Sequence, residues 1–147
     1  MSIQALLQPS KTCEWATPQD LFDKLDAEFH FTLDPCATIE NAKCAKFYTK
    51  EQDGLKKNWG GQTVFCNPPY GREIAKWVKK ASEEEALTVM LIPARTDTKW
   101  FHDYIYGKQE VRFLPGRLKF GGATTAAPFP SMIVIFDNRN ENRTNRC

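Results

Sequence analysis

Seven consecutive uncharged residues, Leu87 to Pro93 (LTVMLIP), constrain this chain more than any other feature. A run this apolar and this short reads as a strand covered on both faces, the centre of a sheet. The neighbouring sequence supplies the cover. Thr17 followed by Pro18 is an N-cap and first-turn signal, and Leu21, Phe22, Leu25 and Phe29 then recur at helical spacing, which predicts a helix from Pro18 to Phe29. Ile74, Trp77, Val78 and Ala81 line one face of a second helix that ends in the solvated acidic run Glu83 to Glu85. A third starts near Thr96 or Asp97, with Asp97 as its N-cap, turns Trp100, Phe101, Tyr104 and Ile105 inward, and stops at Gly107. Further strand candidates are Phe31 to Leu33, Lys46 to Thr49, Gln62 to Cys66, Glu110 to Leu114 and Met132 to Phe136. Strands alternating with helices predict an α/β fold with a mostly parallel sheet, covered on both faces. Ligands then sit at the carboxyl ends of its strands.

The chain has 147 residues, room for one domain, and its 10 Phe and 4 Trp suffice for a substantial core. Residues 1–14 lack a sustained period and 137–147 (DNRNENRTNRC) are almost wholly polar, so both are expected to be tails around a domain spanning 15–136. No apolar run approaches the roughly 20 residues of a membrane helix. The opening MSIQALLQPS also lacks the basic start and long apolar stretch of a secretion signal, so a cytoplasmic address is expected. Cys13, Cys36, Cys44, Cys66 and Cys147 are odd in number and none are paired at C-x-x-C spacing. With His30 and His102 distant from them, no metal site is expected, and the cysteines read as small buried hydrophobes. A net charge of +2 permits a nucleic-acid partner without demanding one, so any polyanion site must arise from local clustering.

Asn67-Pro68-Pro69-Tyr70 directly follows the strand candidate Gln62 to Cys66, where an α/β fold puts its active site. Taken alone the tetrapeptide is also compatible with a proline turn into a helix, with Tyr70 packing on the surface. Its chemistry is more specific. Asn67 offers a neutral carbonyl acceptor, and the residue that follows has no amide hydrogen and presents a stiff backbone carbonyl. Two acceptors converging on one exocyclic amine favour its pyramidal, nucleophilic form. The ring of Tyr70 gives an extruded base a flat surface, a contact worth roughly 1–3 kcal/mol. Asp34, in Leu33-Asp34-Pro35-Cys36-Ala37, also follows a strand candidate, and a carboxylate there either holds an ammonium or ribose hydroxyl or caps its own turn.

An ordered series now covers nearly the whole chain: WATP (15–18), FTLDPCA (31–37), NAKC (41–44), Asp53-Gly54-Leu55, CNPPYG (66–71), IPARTDTKWFH (92–102), GRLKFGG (116–122) and APFPS (127–131). The series resembles the bacteriophage-type DNA N6-adenine methyltransferases, the phage Dam-like enzymes. The resemblance implies a Rossmann-like methyltransferase fold with a trimmed sheet and a C-terminal antiparallel hairpin. It also implies S-adenosylmethionine as methyl donor and the N6 amino group of adenine in DNA, on a flipped-out base, as acceptor. By that resemblance Asn67, Pro68, Pro69 and Tyr70 are the catalytic tetrapeptide. Asp34, Pro35 and Cys36 begin the cofactor loop, Thr17 and Pro18 close over the methionine end of the donor, and Asp53 is the candidate for its adenosine part, or simply the first residue of an Asp-Gly turn.

One departure stands out: the glycine-rich turn that usually continues the cofactor loop is missing, since Thr38, Ile39, Glu40 and Asn41 follow Ala37 and no glycine precedes Gly54. With no room for a separate target-recognition domain, DNA contacts are expected from Arg95, Arg117 and Lys119. Phe120 is either a second wall of the base pocket opposite Tyr70 or a core residue. No membrane or obligate protein partner is implied. Two other readings stay open: a methyltransferase acting on RNA or on a protein glutamine, which also presents a planar amino group, and a catalytically silent DNA-binding relative.

Overall fold

The computed structural model describes residues 16–139. Most of both expected tails, with Trp15, Cys13 and Cys147, lies outside the described residues. Three helices, α1 (Gln19–Phe29), α2 (Ile74–Glu83) and α3 (Lys99–Tyr104), alternate with four strands, β1 (Thr63–Cys66), β2 (Leu87–Pro93), β3 (Glu110–Phe113) and β4 (Ser131–Asp137). The sheet order is β1-β2-β4-β3. All seven residues of β2 are buried, which requires cover on both faces, as its uninterrupted apolar sequence predicts.

The expected mostly parallel sheet is not what forms. β1 pairs parallel with β2, but β4 lies antiparallel between β2 and β3 and pairs with both. The apolar run MIVIF of β4 is as fully covered as a parallel strand would be. Burial on two faces therefore carries no information about direction, which the chain's connections decide. The parallel part continues beyond β1 only through single bridges, Leu33 to Val64 and Asp34 to Phe47, so the two strand candidates before residue 50 are reduced to these points.

Phe22 of α1 meets Phe65 of β1 edge to face at 5.1 Å, which anchors that helix to the sheet. The open edge strand β3 is tied to α1 by Arg112. Its guanidinium forks onto both carboxylate oxygens of Glu28 at 2.8 and 2.7 Å and lies 5.5 Å from the ring of Phe29. Just beyond β4 Asn138 donates to the carbonyls of Ala81 and Ser82 and its backbone N–H to that of Ala86, so the packed body extends past Asp137. Thr98 rather than Asp97 caps α3, its hydroxyl accepting from the N–H of Phe101 at 3.3 Å. Among the described residues no helix is long and apolar enough to cross a membrane.

Candidate active site

Cys66, the last residue of β1, stands beside Met90, so residues 67–70 leave the sheet at its carboxyl end. The segment 32–34 runs alongside: Thr32 donates to the carbonyl of Thr63 and Phe65 donates to that of Leu33, which brings Asp34 out next to Asn67. Between them opens a cavity of about 620 Å³. Its walls include Ala16 and Thr17, the loop 34–38, Asp53 to Leu55, Asn67, Pro69 and Tyr70, and Glu73, Lys76 and Trp77 from the start of α2. Of the residues the sequence nominated for donor and catalysis, Thr17, Asp34, Pro35, Cys36, Asp53, Asn67, Pro69 and Tyr70 share this one space. Pro68 is buried and Pro18 stands at the head of α1, both off the cavity wall.

Asp34 is 4% exposed. Its two oxygens accept separately from the N–H groups of Cys36 (3.3 Å) and Lys43 (3.1 Å), so one carboxylate closes the loop that borders the cavity. Desolvation raises its pKa to about 6 against the help of those two amides. The turn-capping alternative raised for this residue is present, and the same residue also borders the cavity.

Gly54 packs its backbone directly on the loop that lacks a glycine. A Cβ built on it would lie 2.0 Å from the carbonyl oxygen of Pro35, so only glycine lets this backbone rest against the loop after Asp34. The carbonyl of Gly54 in turn accepts from the indole of Trp59, a fully buried side chain stacked on Trp77 with centroids 6.1 Å apart. The close approach is thus supplied from twenty residues downstream. Asp53 adopts positive φ (57°) and accepts from the N–H of Leu55, the Asp-Gly turn, while lining the cavity.

The carboxamide of Asn67 donates to the hydroxyl of Thr17 at 3.0 Å. Thr17 therefore does not cap α1: Pro18 occupies the N-cap position and no side chain caps that helix. Sequence gives no signal for this pairing, because capping is the ordinary use of a threonine before a helix. Tyr70 is nearly buried, its hydroxyl donating to the carbonyl of Leu91 at 3.2 Å and its ring edged by Phe120 (6.2 Å) and Phe129 (5.6 Å). Burial pushes its phenol and the Cys66 thiol well up, and Cys44 to about 12, so these groups stay protonated at neutral pH. Phe120 packs in this aromatic cluster and does not line the cavity.

Arg95, Arg117 and Lys119 are exposed on loops that leave the same end of the sheet, after β2 and between β3 and β4. The residues the sequence reading missed are Thr38, Asn41, Lys43, Thr49, Lys50, Glu73, Lys76 and Trp77. Trp77 carried a signal only for the core, Asn41 and Lys43 stood in the NAKC motif without an assigned role, and the other five carried no signal for the site.

The family model described as DNA N-6-adenine-methyltransferase (Dam) matches residues 5–145. The DNA N-6-adenine-methyltransferase of Escherichia phage T1 is 35% identical over 109 residues, covering 71% of this chain and 45% of that protein. The "Putative methyltransferase YfdM" of Escherichia coli (strain K12) is 36% identical over 64 residues, 39% of this chain and 70% of that protein. This chain thus spans somewhat under half the length of the phage protein it matches. A match that runs through every wall of the cavity places the chain in the DNA N-6-adenine-methyltransferase (Dam) family.

Proposed function

We propose that this chain transfers a methyl group from S-adenosylmethionine to the N6 amino group of adenine in DNA. The observation that carries the reading is one cavity joining Asp34 to Asn67, Pro69 and Tyr70. At about 620 Å³ the cavity is of the size that holds a cofactor together with a base edge. Its chemistry suits the donor: carboxylates at Asp34 and Asp53 for an ammonium and ribose hydroxyls, and apolar walls at Leu55, Phe65 and Trp77 for a purine. When bound, S-adenosylmethionine supplies an electrophilic methyl group on a sulfonium.

The chain's own work is orientation and polarisation. Asn67 accepts one amino hydrogen of the base, and the backbone carbonyl of Pro68, a residue off the cavity wall, is assigned the other, which sharpens the nitrogen lone pair toward the methyl group. Pro69 stiffens that turn, and Tyr70 supports the base taken out of its duplex. The amine itself attacks, so no cysteine is needed as nucleophile, and its proton leaves after transfer. Thr17, Pro18, Pro35 and Cys36 border the methionine end of the donor. Arg95, Arg117 and Lys119 hold the phosphates around the target, and Phe120 backs Tyr70 from behind. Leu33 joining β1 in parallel, with Asp34 and Asn67 at neighbouring carboxyl ends, supports reading the sheet as a trimmed Rossmann-like one, in a catalytic domain that starts near residue 15 and reaches just past the expected boundary at 136, within the host cytoplasm.

Labelled donor offered with duplex DNA, RNA and a glutamine peptide tests the reading. Label should enter DNA alone and digest to N6-methyl-2′-deoxyadenosine. Label in RNA or peptide, or in none of the three, refutes it.

A further inference from the structure

The head of α1 forgoes its own cap. Thr17 stands one residue before the N-cap position, which Pro18 holds, and its hydroxyl accepts from the carboxamide of Asn67, fifty residues away. Thr17 is 5% exposed, and with Ala16 it forms part of the cavity wall. The strand of chain carrying it is held from the far side as well, where Gly121 donates to the carbonyl of Ala16 at 2.9 Å. An asparagine side chain has two faces of opposite polarity on one rotatable bond, and nothing in its shape selects between them. The hydrogen bond to Thr17 restrains that bond: with the NH2 group held toward Thr17, the carbonyl oxygen is set on the opposite side.

From this juxtaposition we infer that Thr17 is a positioning residue for Asn67, restraining the rotation of the carboxamide that is offered to the substrate amine. The inference rests on the methyltransferase reading, and it gives Thr17 a role distinct from contact with the donor. A carboxamide free to rotate would hold its oxygen toward the amine for less of the time, so the cost falls on turnover and not on donor affinity.

The test compares Thr17→Val, which keeps the shape and removes the hydroxyl, with Thr17→Ser, which keeps the hydroxyl, and with Asn67→Ala and the Thr17→Val/Asn67→Ala double variant. At saturating donor, Thr17→Val should lower kcat about tenfold to a hundredfold. Its donor Kd by calorimetry should stay within about twofold, Thr17→Ser should restore most of the rate, and the double variant should be no slower than Asn67→Ala alone. A readout independent of activity is the side-chain amide of Asn67 in 15N spectra. Its hydrogens should exchange more slowly than those of exposed Asn58 in the unsubstituted protein, and its cross-peak should move in Thr17→Val and return in Thr17→Ser. Exchange as fast as Asn58, or a weakened donor Kd with unchanged kcat, overturns the inference, and the exchange comparison stands even if Thr17→Val fails to fold. Absence of methyl transfer by the unsubstituted protein would instead overturn the activity reading and leave the exchange comparison intact.

Discussion

Asn67 and Thr17 are joined by a 3.0 Å hydrogen bond between the turn after β1 and the segment leading into α1. The contact fastens the proposed catalytic turn to the segment that closes one side of the cavity, so two motifs fifty residues apart in the sequence act as one wall.

Asn67→Ala removes the carbonyl acceptor without touching the Asp34 side of the cavity. Methyl transfer to duplex DNA should fall by at least about a hundredfold, a loss comparable with removing one oriented polar group from other active sites. Donor affinity by calorimetry should change by no more than a few fold. Full turnover in this variant would contradict the role given to the residue.

Asp34 makes stability depend on pH in a definite direction. Its folded pKa of about 6 lies above the ordinary 3.8, so between those values the folded chain holds more protons than the unfolded one. The contribution is therefore favourable below pH 3.8 and is lost as pH rises through about 6, on the order of 3 kcal/mol in all. A donor ammonium beside the carboxylate favours its charged form, so donor affinity should increase with pH and level off above about 6. Asp34→Asn should flatten both profiles, as read by urea unfolding and calorimetry across pH 4 to 8. The variant should also loosen the loop, because an amide nitrogen cannot accept from the N–H of Lys43.

Gly54→Ala should be far more damaging than an alanine substitution usually is in a turn. The added carbon would collide with the carbonyl oxygen of Pro35, backbone against backbone, with no flexible side chain to move aside. We expect a loss of about 3 kcal/mol or more in denaturant unfolding and a marked weakening of donor binding. Gly61→Ala, whose built Cβ meets nothing within 4 Å although its φ is +77°, serves as the comparison and should cost about 1 kcal/mol.

Tyr70→Phe loses only the hydroxyl held by Leu91 and should keep most activity, with a stability cost of about 1 kcal/mol. Tyr70→Ala should weaken productive DNA binding, and a mismatch opposite the target adenine should partly restore it, because less unpairing is then required. Equal rates on matched and mismatched duplexes in Tyr70→Ala would argue against an extruded base.

Arg117→Ala combined with Lys119→Ala should reduce DNA affinity evenly across sequences. The slope of log K against log salt should become shallower by about 2, close to one counterion for each phosphate contact removed. An unchanged slope would place the phosphate-tracking edge elsewhere.

What the sequence determined by itself was the local chemistry and the central layer. LTVMLIP could only be a doubly covered strand, the periodicity of residues 74–81 matched α2, and the tetrapeptide at 67–70 declared its place by following a strand. Those features depend on neighbours within a few residues, where spacing and side-chain type are enough. Tertiary structure alone decided the rest. The antiparallel pairing of β4 with β3 was expected as a C-terminal hairpin, but its insertion beside β2 depends on how a long connection returns, and a buried apolar strand looks the same in either direction. Gly54 rests against the loop after Asp34, and the cap expected of Thr17 is given to Asn67. Both are contacts between distant segments, which exist only once the sheet has brought their ends together.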